Sequence, residues 1–179
     1  MTLHIGRDFK LNRLGLRLSI AVACLAWLFT AGAAHAQSDR VTARVVANEL
    51  RDLNLKPDVE PSEDGDPQIR VRVDNFLWVI FFFNCDKSGE LERRGCRSLQ
   101  FYTSYIMDNA IPLATINSWN TDQRYARAYY RKQNDGKHSA RIEVDALFED
   151  TGSKPAEAFR AYFSIMKRQA ASFRKHIGF

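Results

Sequence analysis

The side chains that could perform chemistry are few and widely spaced in this sequence, which has four histidines and three cysteines. His138 follows a predicted hairpin turn and His176 is close to the C-terminus, and neither has a motif neighbour that would make it a general base. Ser118 lacks the glycine-flanked turn of a nucleophilic serine. Acids at the ends of a predicted helix, such as Asp108 and Asp122, usually act as caps. The sequence therefore predicts no catalytic residues and no enzyme.

Two of the cysteines, Cys85 and Cys96, flank a polar loop that contains two glycines. Their spacing is too long for a Cys-x-x-Cys redox motif, and the flanking sequence supplies no histidine ligand. In an oxidising compartment such a pair forms a disulfide, and closing so short a loop stabilises a fold by about 3 kcal/mol. The acids between Glu60 and Asp66 lack the ligand spacing of an EF-hand. We predict a structural disulfide, no metal site and no cofactor.

The N-terminus has the pattern of a secretory signal peptide. Basic residues between Arg7 and Arg17 precede an uncharged apolar run over residues 18–29, and Ala34-His35-Ala36 fits the small-x-small cleavage rule. The run is shorter than the roughly 20 residues that span a bilayer, although an uncleaved anchor reaching Ala36 is an alternative. We predict cleavage after Ala36, export to the periplasm, and a single domain over residues 37–179.

Cleavage would change the charge that a partner meets. The whole sequence has 26 Lys+Arg and 21 Asp+Glu, a net charge of +5. The leader removes four basic residues and one acid, which leaves 22 against 20 and a net charge of +2. A nucleic-acid-binding domain usually keeps a strong basic excess, so the sequence predicts no nucleic-acid partner.

Hydrophobic periodicity predicts an α+β fold in the order α-β-β-β-α-β-β-α, with an antiparallel sheet. Helices are predicted over residues 41–53 and 111–120, the second capped by Asp108 or Asn109, and a long last helix opens at residues 151–155. Strands are predicted over residues 69–73, 76–83, 98–106, 125–132 and 140–148. Residues 56–67 are predicted to be turns, and Asn134-Asp135-Gly136 a hairpin.

The predicted strand over residues 76–83 is apolar on both faces, whereas an antiparallel strand usually turns one face to solvent. Helices can cover one side. The other needs residues 111–120, a second subunit or a bound partner, and these alternatives stay open. We take one side of the strand as a candidate partner-binding surface, formed by Phe76, Trp78, Ile80 and Phe82.

Two further segments have two interpretations each. Asn117, Trp119, Asn120 and Arg124 form either a recognition corner for a partner or a structural corner in which Trp119 packs and the asparagines cap; the structural interpretation is favoured. The last helix has an apolar seam and a basic side. It is typical of a core-packing helix or of one that lies on anionic lipid, and we favour the core, without membrane contact.

Residues 41–177 resemble the YbjN family of bacterial sensory transduction regulators. The likeness is in the order of several short segments: Asp64-Gly65-Asp66-Pro67, Phe83-Asn84-Cys85, Cys96-Arg97-Ser98-Leu99-Gln100-Phe101, Ile116-Asn117-Ser118-Trp119-Asn120, Arg124-Tyr125-Ala126-Arg127-Ala128-Tyr129 and the last Phe-rich helix. The resemblance implies a fold like that of the type III secretion chaperones and supplies no enzymatic residues.

The resemblance and the apolar strand together predict an exported, non-enzymatic regulatory protein. It would bind a polypeptide partner, or pair with itself as a homodimer, through an apolar sheet face. The alternative is a periplasmic protein that binds a small ligand or a lipid surface, which would require an enclosed pocket with convergent polar groups.

Overall fold

The computed structural model describes residues 40–148 and 154–179, which belong to one compact unit. The predicted signal peptide with its expected cleavage site after Ala36, and residues 151–153 of the predicted helix start, lie outside the described residues. Three α-helices are present in the described part of the chain: α1 (Ala43–Asp52), α2 (Leu113–Asp122) and α3 (Pro155–His176). The strands are β1 (Asp58–Pro61), β2 (Pro67–Val73), β3 (Phe76–Phe83), β4 (Ser98–Met107), β5 (Arg127–Lys132) and β6 (His138–Leu147).

These strands form one antiparallel sheet in the order β1-β2-β3-β4-β6-β5. The predicted α+β fold is confirmed, and β1 is an addition to the predicted order. It lies in the segment predicted as turns, where Pro57 and Pro61 hide any alternating pattern. Prolines are tolerated in an edge strand, which β1 is, because one side of the strand needs no ladder hydrogen bonds.

A two-residue turn at Asp74 and Asn75 sets the register of β2 against β3. Both residues have positive φ, 49° and 70°, as the type I′ hairpin turn requires. Val73 consequently pairs with Phe76, and Val71 pairs with Trp78. Because cross-strand partners project to the same side of a sheet, Phe76 and Trp78 share the side on which β2 places its valines.

All three helices pack on that side of the sheet. The predicted seam of α3 is confirmed, since Phe159, Phe163, Met166, Ala170 and Phe173 are all buried. The Phe101 ring lies 5.7 Å from the Phe159 ring, and the Tyr105 ring 6.0 Å from the Phe173 ring. Val46 and Leu50 bury the apolar face of α1 against β2 and α3.

The short helix α2 lies beside α3 and does not extend over the central strands of the sheet. It follows Pro112 without a side-chain cap, so the predicted capping by Asp108 or Asn109 is wrong. Its buried residues are Ile116 and Trp119, and the Trp119 ring is 4.9 Å from the Phe173 ring of α3. The segment that was the internal candidate for the second side of β3 therefore packs against α3 and β5 instead.

The predicted disulfide between Cys85 and Cys96 is confirmed. Cys96 also pairs with Val41 through two backbone hydrogen bonds of 3.0 and 2.8 Å. The bridge thus ties the end of β3 to the chain that enters α1. Both cysteines are buried, and the polar loop over residues 86–95 lies outside the core.

Candidate interaction surface

The two sides of β3 have different surroundings. On the inner side, Trp78, Ile80 and Phe82 are 2%, 0% and 2% exposed beneath the helices. On the opposite side, Leu77 is 39% and Phe83 is 42% exposed. This difference corrects the candidate partner-binding set. Trp78, Ile80 and Phe82 are core residues. The register of the hairpin places them on the side of the sheet that carries the β2 valines and the helices.

Phe76, the fourth member of that set, is half-buried at the edge of the core. Its ring is 5.3 Å from Tyr105 and 5.8 Å from Phe179, and the Arg174 guanidinium lies 4.5 Å from its centre. These contacts hold the C-terminal end of α3 against β3. The structure therefore gives Phe76 a packing role.

The side of the sheet without helices is called the open face below. In the described part of the chain, no helix or strand lies over it. Its central side chains come from alternate positions of β3, β4, β5 and β6, and they include aromatic, aliphatic and charged groups: Leu77, Val79, Phe81, Phe83, Gln100, Tyr102, Tyr129, Arg141, Glu143, Asp145 and Leu147. Leu147 is the most exposed of the apolar members, at 65%.

Contacts between aromatic rings continue across the open face. The Phe81 ring lies 6.4 Å from Phe83 and 6.2 Å from Tyr102. The Arg141 guanidinium lies 5.9 Å from the ring of Tyr102 and 5.8 Å from that of Tyr129. The rings therefore contact aromatic and cationic neighbours on the same face.

A groove of about 520 Å³ runs between this aromatic surface and the β1–β2 turn. Val79, Phe81 and Phe83 line one part of it, and the turn over residues 62–66 supplies Glu63, Asp64 and Asp66 at the rim. The disulfide loop holds the rim in position, because Lys87 Nζ lies 2.9 Å from an Asp66 oxygen and Arg94 donates a 3.1 Å hydrogen bond to the Gly65 carbonyl.

Trp119 and Asn120 have a structural role. The Asn120 amide donates to the Ala128 carbonyl at 2.9 Å and accepts from the Ala128 N–H at 2.8 Å. Trp119 Nε1 donates to the Ala126 carbonyl at 3.3 Å. These bonds occupy backbone groups on the outer edge of β5, and they favour the structural interpretation of this corner.

Asn117 and Arg124 are exposed and lie outside the aromatic surface. The Asn117 carbonyl accepts a 2.9 Å hydrogen bond from Thr121, and the Arg124 guanidinium lies 5.3 Å from the Tyr125 ring. The structure places Arg124 beside a second groove with Tyr129 and Glu143, at the β5 end of the open face. Asn120 lines the same groove, so two of the four corner residues meet there, whereas Asn117 and Trp119 do not line it.

Folding brings together a serine and a histidine that are far apart in the sequence. His176 Nε2 lies 3.2 Å from Ser118 Oγ, and both atoms lie close to the Thr115 carbonyl, at 2.8 and 3.1 Å. A carbonyl only accepts hydrogen bonds, so Nε2 carries a proton and Ser118 also donates to Thr115. A protonated Nε2 is unable to take the proton of Ser118, which argues against a catalytic pair.

Two tyrosines have perturbed acidities, each with a structural explanation. Burial raises the pKa of Tyr105 to about 12, and its hydroxyl donates a 3.4 Å hydrogen bond to the Ala170 carbonyl inside the core. Burial, and secondarily the Glu143 carboxylate, raises the pKa of Tyr129 on the open face. Neither tyrosine is poised to transfer a proton near neutral pH.

The basic side of α3 makes ion pairs within the fold. Arg160 lies 2.6 Å from Glu49 of α1, and Lys167 lies 3.7 Å from Asp74 of the β2–β3 turn. Arg168 donates a 2.7 Å hydrogen bond to Ser164. None of the helices in residues 40–148 and 154–179 is long and apolar enough to cross a membrane. Within the same ranges, no group of three or more His, Cys, Asp or Glu residues could hold a metal ion.

The outward residues of β3 were not among the candidates from the sequence, although a signal for them exists. The Asp74-Asn75 turn predicts a two-residue hairpin, which pairs Phe76 with Val73 and Leu77 with Arg72. Arg70 and Arg72 are polar, so their partners Val79 and Leu77 belong to the solvent side. The register, and not the composition, identifies the open side.

Comparison with known proteins agrees with this architecture. The crystal structure titled "YbjN, a putative transcription regulator from E. coli" has a TM-score of 0.50 and 14% sequence identity, and the match covers 72% of this chain and 84% of that chain. The likeness shows the fold. None of the curated proteins matches the sequence. The model of the YbjN family, described as "Putative bacterial sensory transduction regulator", matches residues 42–179. The chain therefore belongs to the YbjN family.

Proposed function

We propose that this protein is an exported, non-enzymatic regulatory protein that binds another polypeptide on its open face. The observation that carries the proposal is the exposed side of β3. Leu77 and Phe83 stay accessible although the same strand buries Trp78 and Phe82. Leaving such side chains in water forgoes about 25 cal/mol per Å² of apolar area, and contiguous apolar surface of this kind marks interaction sites.

The polar groups around the groove favour a protein partner over a small ligand. A volume of about 520 Å³ is within the range of ligand pockets. However, Gln68 donates to Glu60 at 2.8 Å and Gln100 donates to Asp145 at 2.9 Å. These groups bind their neighbours on the sheet and do not converge on a shared point, as the recognition of a small molecule requires.

The ion pairs of α3 likewise favour a protein partner over a lipid surface. Arg160 and Lys167 are held against acids of the same fold, so fewer cations project together from the helix. Binding to anionic lipid depends on such a projecting set of cations beside an apolar face. In α3 the apolar face is in the core.

A photo-crosslinking amino acid at Phe83 tests the proposal in the cells that make the protein. We expect Phe83 to give discrete protein adducts in the periplasmic fraction, because it lies on the open face. The same amino acid at Lys175, an exposed residue of α3, is the matched control and should give none. Absence of adducts at Phe83, or equal adducts at both positions, would contradict the proposal.

A further inference from the structure

The charge pattern of the open face indicates which polypeptide it can receive. One row of cross-strand neighbours crosses all six strands, and in sheet order it consists of Asp58, Arg70, Val79, Tyr102, Glu143 and Arg127. From β1 to β5 the charges are negative, positive, neutral, neutral, negative and positive. When the row is laid against its own reversed copy, every charged residue meets a residue of the opposite charge. The row is therefore complementary to its own reverse.

We propose that a second copy of this chain docks on the open face, about a two-fold axis parallel to the strands between β3 and β4. This inference rests on the proposed function and names the partner. The axis reverses the strand order of the second copy, so that its β5 lies over β1 and its β6 over β2. Asp58 then faces Arg127 of the second copy, and Arg70 faces Glu143. Within its own protomer Arg127 already lies 2.8 Å from Glu143 and Asp145, and Arg70 lies 3.8 Å from Glu60, so the pairs between copies would extend these ion pairs. A two-fold interface requires this kind of self-complementarity.

The charges select this axis over another. A two-fold axis perpendicular to the strands, through the same row, would place each strand over its own copy. Asp58 would then face Asp58, and Arg127 would face Arg127. All four charged positions of the row would then meet a like charge, which costs free energy. The axis parallel to the strands gives only attractive charge pairs in this row, and a like-charge pair, Arg72 with Arg141, lies in the next row. The row thus fixes the orientation of the second copy as well as its identity.

The apolar residues lie where this axis would bury them. Val79 and Tyr102 are the two central members of the row, and Phe81 lies beside them with its ring 6.2 Å from Tyr102. From the usual strand spacing and rise, six strands offer a face of about 600 Å² per protomer. That area is at the lower limit of specific interfaces, and aligned sheets pack face to face at about 10 Å.

The edges of the sheet are less suited to self-association than its face. β1 has four residues and ends at Pro61, which has no N–H to donate. At the other edge, Asn120 binds both backbone groups of Ala128. Short strands, prolines and covered backbone groups are the features by which proteins block strand addition. Docking on the face avoids both edges.

Sedimentation of paired charge-reversal variants of the full protein tests the arrangement. Asp58→Lys and Arg127→Glu should each weaken self-association about tenfold or more, because each homodimer then has two repulsive pairs. An equimolar mixture of the two variants should restore association, since the mixed dimer pairs Lys with Glu and Asp with Arg. Glu157→Lys and Lys175→Glu, exposed on α3, are the matched controls and should associate like the wild type.

One substitution should strengthen the dimer. The same axis places Arg72 opposite Arg141 of the second copy, because both belong to the next row of the face. Arg72→Glu should therefore tighten association about fivefold, by replacing two repulsive pairs with two attractive ones. Thermal melting of each variant checks that the monomer stays folded. The self-association of the wild type and the effect of Arg72→Glu on it test the inference even if the Arg127→Glu variant unfolds.

Three results would overturn the inference. The first is a wild-type protein that stays monomeric at tens of micromolar. The second is a dimer whose charge-reversal variants are not rescued by mixing, and the third is an Arg72→Glu variant that associates no more tightly than the wild type. If the protein is monomeric but Phe83 still forms adducts with a different protein, only this inference fails. If Phe83 forms no adduct at all, the proposed function fails as well.

Discussion

The two sides of β3 carry four large apolar residues each, yet only one of the two sides is packed against helices. Phe76, Trp78, Ile80 and Phe82 lie towards the helices, whereas Leu77, Val79, Phe81 and Phe83 lie on the open face. Hydrophobicity therefore does not decide which side of a strand is buried. The register of the β2–β3 hairpin and the placement of all three described helices on one side decide it. An apolar side that packing leaves uncovered is available for a partner.

The largest difference between the two sides should appear on truncation. Trp78→Ala should lower the free energy of unfolding by about 3–5 kcal/mol, because it empties the space beneath Phe163, whose ring is 5.6 Å away. Leu77→Ala, the neighbour on the open face, should cost less than about 1 kcal/mol. Urea unfolding followed by circular dichroism measures both values. Similar losses for the two variants would contradict the assignment of sides.

The disulfide should contribute the next largest effect. Replacing both Cys85 and Cys96 with serine should lower stability by about 3 kcal/mol while leaving the fold intact. Because the loop holds the turn over residues 62–66 through Lys87 and Arg94, the variant should also bind more weakly on the open face. Lys87→Ala is the control for the loop contact alone. Unchanged melting of the double variant would contradict a stabilising bridge.

Alkaline pH should distinguish the buried side through Tyr105. Its pKa is raised from 10 to about 12 in the fold, so the unfolded chain loses this proton first as the pH rises. The stability it contributes is complete below pH about 10 and should fall by about 2 kcal/mol as the pH approaches 12. Tyr105→Phe should lack that part of the decline. Parallel stability curves for the two proteins between these pH values would show that Tyr105 is not buried as described.

The edge of β5 should show a smaller effect. Asn120→Ala removes two hydrogen bonds to Ala128 and should cost about 1–2 kcal/mol. It should also expose backbone groups that can pair with another strand, which would raise aggregation on heating. Asn117→Ala, on an exposed position of the same helix, should be nearly neutral. Equal effects of the two substitutions in thermal melting would contradict the role of Asn120 in covering the edge of β5.

Much of the fold was predictable because the elements are locally consistent. Alternation in β6 placed Ala140, Ile142 and Val144 inward, and the repeat of α3 identified its buried seam. β1 was not predictable from periodicity, since a strand of four residues that follows Pro57 and ends at Pro61 gives no pattern. The position of α2 depends on contacts such as Trp119 with Phe173, which join distant parts of the chain.

The candidate surface was predictable only in part. Residues 76–83 were recognised as apolar on both faces, but the choice of the Phe76 side was wrong for Trp78, Ile80 and Phe82. The Asp74-Asn75 turn contains the information needed to choose correctly, because it fixes Leu77 opposite Arg72. The contact between His176 and Ser118, by contrast, has no signal in the sequence, since tertiary packing brings α2 and the end of α3 together.

The central claim is that adjacent residues of β3 serve the core and a partner respectively, and Phe82 and Phe83 test it most directly. Unfolding free energy and sedimentation would be measured for Phe82→Ser and Phe83→Ser under the same conditions. We predict that Phe82→Ser loses about 3–5 kcal/mol of stability. Phe83→Ser should lose less than about 1 kcal/mol but weaken self-association. Equal destabilisation by both, with association unchanged in the folded fraction, would contradict the account.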